Sequence, residues 1–155
     1  MRILYTSSTG GHLEQLKVLI NELNFEKDIE KYVLIEKSPF ENKFNNVKDV
    51  FYLIQQDRKD KYFLLKFIKN IFTSFNILRK VKPDFLISTG AGATLPVIIL
   101  SKLFRTKVIY IESLAKINNL TLTGKICSVF TNRFYVQWNE LAEKIPNTYY
   151  KGRLY

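Results

Sequence analysis

The chain is poor in the residues that staple or metallate small proteins. One cysteine, Cys127, stands in 155 residues, so no internal disulfide can form. Its neighbours Ile126, Val129 and Phe130 are apolar, the setting of a small core residue rather than a nucleophile. A single histidine, His12, and the lack of any Cys/His cluster or Asp-X-Asp element leave no metal expected. No stretch reaches ~18 uncharged apolar residues, so no bilayer-spanning helix is expected. The first apolar run ends after Tyr5, far short of a secretory core segment, which makes the cytoplasm the expected compartment. Acids are scarce: 14 Asp and Glu face 24 Lys and Arg, a formal net charge of +10. Such an excess favours anionic partners: nucleic acid, a membrane surface or a phosphorylated substrate. The basic residues belong to no helix-turn-helix, zinc site or RNP pattern, so nucleic acid is not expected.

What is present suits one folded domain over residues 1–155. The chain is 46% hydrophobic and 14% aromatic, enough for a real core and too apolar for a disordered tail. It is too short for an enzyme that needs two full α/β domains in one chain. Short β-rich runs alternate with helical ones. Strands are expected at Arg2–Thr6, Tyr32–Ile35, Asp49–Ile54, Asp84–Ser88, Lys107–Ile111 and Arg133–Val136, with a further one possible in Asn147–Leu154. Helices are expected at His12–Leu23, Lys61–Lys80, Thr94–Phe104, Leu120–Phe130 and Asn139–Lys144, and a loop at Glu36–Asn46. That alternation gives a Rossmann-like α/β domain: a twisted, mainly parallel sheet with helices on both faces. Ligands of such sheets bind beyond the carboxyl ends of the strands, where the strand order reverses.

Three loops fall at that edge. The first, Ser7-Ser8-Thr9-Gly10-Gly11-His12, follows a strand and opens a helix. Free helix-start N–H groups and three hydroxyls suit a phosphate or pyrophosphate. The loop has neither the third glycine of a dinucleotide fingerprint nor the Lys of a P-loop. A plain glycine turn with Thr9 near the helix cap is the competing reading. His12 is placed to act as a general base or to donate to a phosphate oxygen; a structural cap is the alternative. The second loop, with Thr89, Gly90 and Gly92, can line the same crevice. The third puts Glu112 and Ser113 at the end of an apolar strand, where a base or a sugar-hydroxyl acceptor would sit. A helix-start carboxylate or an ion pair with Lys116 would explain Glu112 equally.

The segment Lys61–Lys82 holds Lys61, Lys66, Lys69, Arg79, Lys80 and Lys82 and no acid, together with Phe63, Phe67, Phe72 and Phe75. A basic helix with aromatic surface to spare fits contact with an anionic membrane surface, through Lys61, Phe63, Lys66, Phe67 and Lys69. A sheet-covering helix with a solvated Lys face accounts for its Leu and Ile stripe but leaves some Phe over.

Four segments follow one another in order: STGGHLEQL (Ser8–Leu16), STGAGATLP (Ser88–Pro96), YIESLAKINNLTLTGKI (Tyr110–Ile126) and FYVQWNEL (Phe134–Leu141). Together they resemble the Alg14-like (PssD/CpsF-type) family of oligosaccharide biosynthesis proteins, over nearly the whole chain. The resemblance implies the N-terminal, acceptor-binding half of a GT-B glycosyltransferase, a split version of the MurG type. It implies an Alg13-like second chain that binds the nucleotide sugar, so that no cofactor belongs to this chain. It implies a polyprenyl-pyrophosphate-linked acceptor at the inner face of the cell membrane, in capsule or exopolysaccharide synthesis.

On that resemblance Ser7, Ser8, Thr9, Gly10, Gly11, Thr89, Gly90 and Gly92 bind the acceptor and its phosphates. Ser113 and Asn118 line the cleft, His12 or Glu112 is the base, and Gln137 and Trp138 face the partner or the cleft rim. Two departures stand out: Lys116 where the family often has Arg, and Gly90-Ala91-Gly92 where Gly-Pro-Gly is frequent. Two other functions remain open on the sequence. The chain is a non-catalytic membrane tether of a separate transferase, or a free-standing phosphate- or nucleotide-binding domain.

Overall fold

A computed structural model describes residues 1–23, 29–39 and 42–154. Strands β1 (Arg2–Ser7), β2 (Glu30–Glu36), β3 (Asp49–Leu53), β4 (Phe85–Ser88), β5 (Lys107–Ile111), β6 (Arg133–Val136) and β7 (Tyr149–Tyr150) form one sheet in the order β3-β2-β1-β4-β5-β6-β7. Every neighbouring pair is parallel, so the expected mainly parallel sheet is parallel throughout. The helices are α1 (Gly11–Glu22), α2 (Phe63–Val81), α3 (Leu95–Ser101), α4 (Leu122–Phe130) and α5 (Asn139–Lys144).

The sheet has two cores. On one face Leu13, Leu16 and Ile20 of α1 pack on Ile3, Tyr5, Val33, Ile35 and Ile87. On the other, Ile77, Leu78 and Val81 of α2, Val97 and Ile98 of α3, Cys127 of α4 and Leu141 of α5 pack on Leu4, Leu34, Leu86 and Val108. Burial on both faces is why RILYTS and KVIYI read as near-continuous apolar runs. The order in which successive strands are added reverses between β1 and β4, and the loops after these strands flank that switch point.

Boundaries differ from expectation for local reasons. Glu30 and Lys31 extend β2 because Arg2 and Ile3 of β1 pair with them. Helix α2 begins at Phe63 because Asp60 ends the preceding turn, accepting from the backbone N–H of Tyr62 at 2.8 Å. Helix α4 begins only after Thr121, whose hydroxyl caps it by accepting from the Gly124 N–H at 2.8 Å. Residues Phe40 and Glu41 of the expected Glu36–Asn46 loop lie outside the described residues.

One polar side chain sets the rotation of α2. Asn70 is fully buried and mimics a strand partner, donating to the Ile54 carbonyl at 2.9 Å and accepting from its N–H at 2.8 Å. With Asn70 and Ser74 inward, the outward row is Leu64, Leu65, Ile68, Phe72 and Phe75.

Cys127 is buried in the second core, and burial, with the nearby Glu112 carboxylate, pushes its thiol up to about 12. The native protein at pH 8 should therefore give no reaction with a thiol reagent, and one equivalent after denaturation. Rapid labelling of the native protein would contradict this packing.

Candidate functional site

The loops after β1 and β4 are laced together across the switch point. The Ser8 N–H donates to the Gly90 carbonyl at 2.7 Å, and the Ala91 N–H to the Ser8 hydroxyl at 3.2 Å. The Thr89 hydroxyl donates to the His12 carbonyl at 2.8 Å and lies 3.1 Å from the Ser7 hydroxyl, which donates to the Ser8 carbonyl. Ser7 and Thr89 are fully buried. Their expected role as phosphate donors is therefore corrected: their hydroxyls are spent on joining the two loops.

The joint fixes His12. Its Nδ1 lies 2.6 Å from the Thr89 carbonyl oxygen. A carbonyl only accepts, so Nδ1 carries a proton, and in the neutral tautomer this leaves the lone pair on Nε2. Gly90 has φ +91°, and a Cβ there would stand 3.0 Å from the Tyr110 hydroxyl and 3.3 Å from His12 Nδ1. Glycine is thus needed at this position both for the left-handed backbone and for the room that the histidine occupies. The Gly10 carbonyl accepts from Leu13 and Glu14 at the start of α1. The N–H groups of Gly11 and His12 have no acceptor among the described residues, so the helix start offers free donors and a partial positive charge. Thr9 is different: its N–H goes to a Glu36 carboxylate oxygen at 3.3 Å, and the other oxygen of Glu36 accepts from Gln56 at 2.6 Å.

Two recesses flank this joint, one on each face of the sheet. The first, about 540 Å³, lies among Phe63, Leu64 and Phe67 of α2, Leu95 of α3, and Leu122 and Ile126 of α4. Its polar end carries Ser8, Gly92, Gln56, Arg58, Thr123 and the Glu36 carboxylate, whose oxygens are taken by the Thr9 and Gln56 N–H groups, and the buried Nε2 of Gln56 has no partner. That volume falls in the ~300–1,000 Å³ range of small-molecule sites. The second recess is lined by Gly11, His12 and Gln15 of α1 and by Ser113, Leu114 and Ala115.

Glu112 does not face either recess as a base would. It is fully buried; its carboxylate accepts from the Ser113 N–H at 2.8 Å, the Thr121 N–H at 3.0 Å and the Thr121 hydroxyl at 3.1 Å. The helix-start alternative is the one the geometry fits. Gln137, expected at a partner face, is 2% exposed, donates to the Glu112 carbonyl at 2.9 Å and accepts from the Leu154 N–H. Trp138 is half-buried, its indole N–H donating to the Leu114 carbonyl at 2.7 Å. Both are therefore internal clamps on the segment that walls the second recess. Asn118 is exposed and lines neither recess. Phe63 and Phe67, expected to touch a membrane, are stacked at 6.2 Å and turned into the first recess, and Lys66 is paired with Asp60. Lys61 and Lys69 stay exposed.

Sequence reasoning missed Glu36, Gln56, Arg58 and Gln15. Glu36 and Gln56 end or follow β2 and β3, at the same sheet edge as the glycine loops, so the strand-end rule applied to every strand would have found them. Gln15 lies inside a helix and gave no such signal. Among the described residues no helix is long and apolar enough to cross a membrane.

Against known proteins, the family described as "Oligosaccharide biosynthesis protein Alg14 like" matches residues 3–154. The mouse UDP-N-acetylglucosamine transferase subunit ALG14 is 26% identical, over 99% of this chain and 83% of its own length. A Borrelia garinii UDP-N-acetylglucosamine–N-acetylmuramyl-(pentapeptide) pyrophosphoryl-undecaprenol N-acetylglucosamine transferase is 32% identical, over 94% of this chain but 42% of the relative. The crystal structure of Acinetobacter baumannii MurG superposes with a TM-score of 0.77 at 15% identity, over 97% of this chain and 45% of that one. This last match shows a shared fold, and the chain spans less than half of the MurG molecule.

Proposed function

Because the chain belongs to the Alg14-like family of oligosaccharide biosynthesis proteins, we propose that it is the acceptor-binding subunit of a two-chain, inverting glycosyltransferase. Its acceptor is a polyprenyl-pyrophosphate-linked glycan, and a separate Alg13-like chain brings the nucleotide sugar. The setting is capsule or exopolysaccharide synthesis at the inner membrane face. The relatives' names support the transferase class, and the one observation that carries the acceptor role is the arrangement around His12. A base nitrogen and free helix-start donors line the recess on one side of the joined loops at the switch point, and the apolar recess opens on the other side of the same joint.

In this reading the acceptor's diphosphate lies over Gly10, Gly11 and the Ser8 hydroxyl, within reach of Gln56 and Arg58. Its first prenyl units fill the recess between Phe63, Phe67, Leu95 and Leu122. His12 Nε2 takes the proton of the acceptor hydroxyl. The oxygen attacks the anomeric carbon as the bond to the nucleoside diphosphate breaks on the opposite face, and the diphosphate leaves with the bonding electron pair. The partner wall stabilises that charge and supplies the proximity a single wall lacks. Ser7, Thr89, Glu112, Gln137 and Trp138 hold the frame.

Co-purification with the second chain, followed by transfer from a nucleotide sugar to a lipid-diphosphate glycan, tests the proposal. The pair should turn over and this chain alone should not. Full-speed transfer by this chain alone to a soluble alcohol would overturn it.

The outward row of α2 is the membrane contact in this reading. Leu64 and Phe72 are each 66% exposed, and Lys61, Lys69 and Arg79 lie around the row. Vesicles rich in anionic lipid should bind the protein, and Ile68→Asp with Phe72→Asp should weaken partitioning about 100-fold. Thermal stability should barely move, because both side chains face water. Unchanged partitioning would remove α2 from the membrane contact.

A further inference from the structure

The second recess contains a polar group that the fold leaves unpaired. Gln15 is 3% exposed on α1 and lines the recess one turn after His12; its amide is unpaired at both ends among the described residues, the buried Oε1 accepting no hydrogen bond and Nε2 donating none. A buried acceptor without a donor destabilises the fold, so an apolar residue there would give a more stable helix–loop contact. His12 Nε2 is likewise an acceptor in the neutral ring. The free N–H groups of Gly11 and His12 at the same wall are donors.

This mixture discriminates between ligands. A phosphate satisfies the donors but has no proton to offer Gln15 or His12. A hydroxylated ring satisfies both kinds of group. Leu114 and Ala115, on the opposite wall, suit the apolar C–H face of such a ring, and the Ser113 hydroxyl stands at the rim. The wall does not drift: Glu112, Gln137 and Trp138 hold it from behind.

We infer that the recess formed by Gly11, His12, Gln15 and Ser113–Ala115 is a subsite for the reacting sugar, and that Gln15 is a specificity residue accepting one of its hydroxyl or amide protons. The inference rests on the acceptor-binding reading and adds an order to it. The sugar lies on the α1 face, the diphosphate over the joint of the two loops, and the prenyl chain on the α2 face.

The test is calorimetric binding of two soluble probes to the full chain: N-acetylglucosaminyl diphosphofarnesol, and farnesyl diphosphate without sugar. Gln15→Met keeps length and removes the acceptor. It should weaken the sugar-bearing probe about three- to tenfold, leave farnesyl diphosphate unchanged and leave the melting temperature equal or higher. Equal loss for both probes, or no loss for either, overturns the subsite while the loop reading stands. A melting temperature that falls with binding intact makes Gln15 a structural residue and also overturns it. If neither probe binds the wild-type chain, the acceptor-binding reading fails and this subsite fails with it.

Discussion

His12→Ala should lower transfer by the assembled pair about 10²–10⁴-fold, the usual contribution of a positioned general base. The histidine has two jobs that can be separated. Through Nδ1 it ties α1 to the loop after β4, donating to the Thr89 carbonyl at 2.6 Å. Its ring lines the second recess, and in the neutral tautomer Nε2 holds the lone pair. Alanine removes both. Asparagine places an amide N–H close to where Nδ1 stood, so it keeps the tie and removes the base. His12→Asn should therefore lose turnover as fully as His12→Ala. It should keep the acceptor KM near that of the wild type and lose less stability than alanine, by about 1 kcal/mol, one net hydrogen bond. Steady-state kinetics and thermal melts of the two variants decide it. Full turnover by His12→Asn would leave His12 as a loop fastener and move the base elsewhere.

How much of this was legible in the sequence differs by level. The strand and helix order was legible because burial on both sheet faces leaves apolar runs such as KVIYI, and because α1 keeps Leu13, Leu16 and Ile20 on one side. The glycine loops were legible because a tight turn between strand and helix needs them. Which way a strand-end side chain points was not. Ser7, Thr89, Glu112 and Gln137 all lie at strand ends on the functional edge, yet each turns inward to a backbone group. Composition cannot separate a polar residue facing a ligand from one that satisfies the buried backbone behind it. The rotation of α2 was hidden for a related reason. The aromatic surplus of a basic helix reads Phe63 and Phe67 as membrane contacts, but the buried Asn70 clamp turns them into the first recess and turns Leu65, Ile68 and Phe72 out.

The second large effect concerns Glu112 and Gly124. A Cβ on Gly124 would stand 2.0 Å from Glu112 Oε2 and 3.0 Å from the Thr121 hydroxyl. That carboxylate is fully buried and held by three donors, so it cannot move aside without leaving charge and N–H groups unpaired. Gly124→Ala should cost about 3 kcal/mol, overpacking combined with lost charge-assisted hydrogen bonds. At this chain length that is roughly 6–12 °C in melting temperature. Glu112→Gln should cost about 1–3 kcal/mol, because one end of the amide presents N–H to groups that are themselves donors. The two changes are coupled. In a Glu112→Ala background the space opens, and Gly124→Ala should cost less than about 1 kcal/mol. Equal cost in both backgrounds would show that the clash is relieved some other way. Activity separates this carboxylate from the base. Below its melting temperature Glu112→Gln should keep turnover within about tenfold of the wild type, whereas His12→Asn should not. Turnover as low in Glu112→Gln as in His12→Asn would return Glu112 to the chemistry, because a carboxylate that only braces the wall beside Ser113 is needed for position and not for the proton.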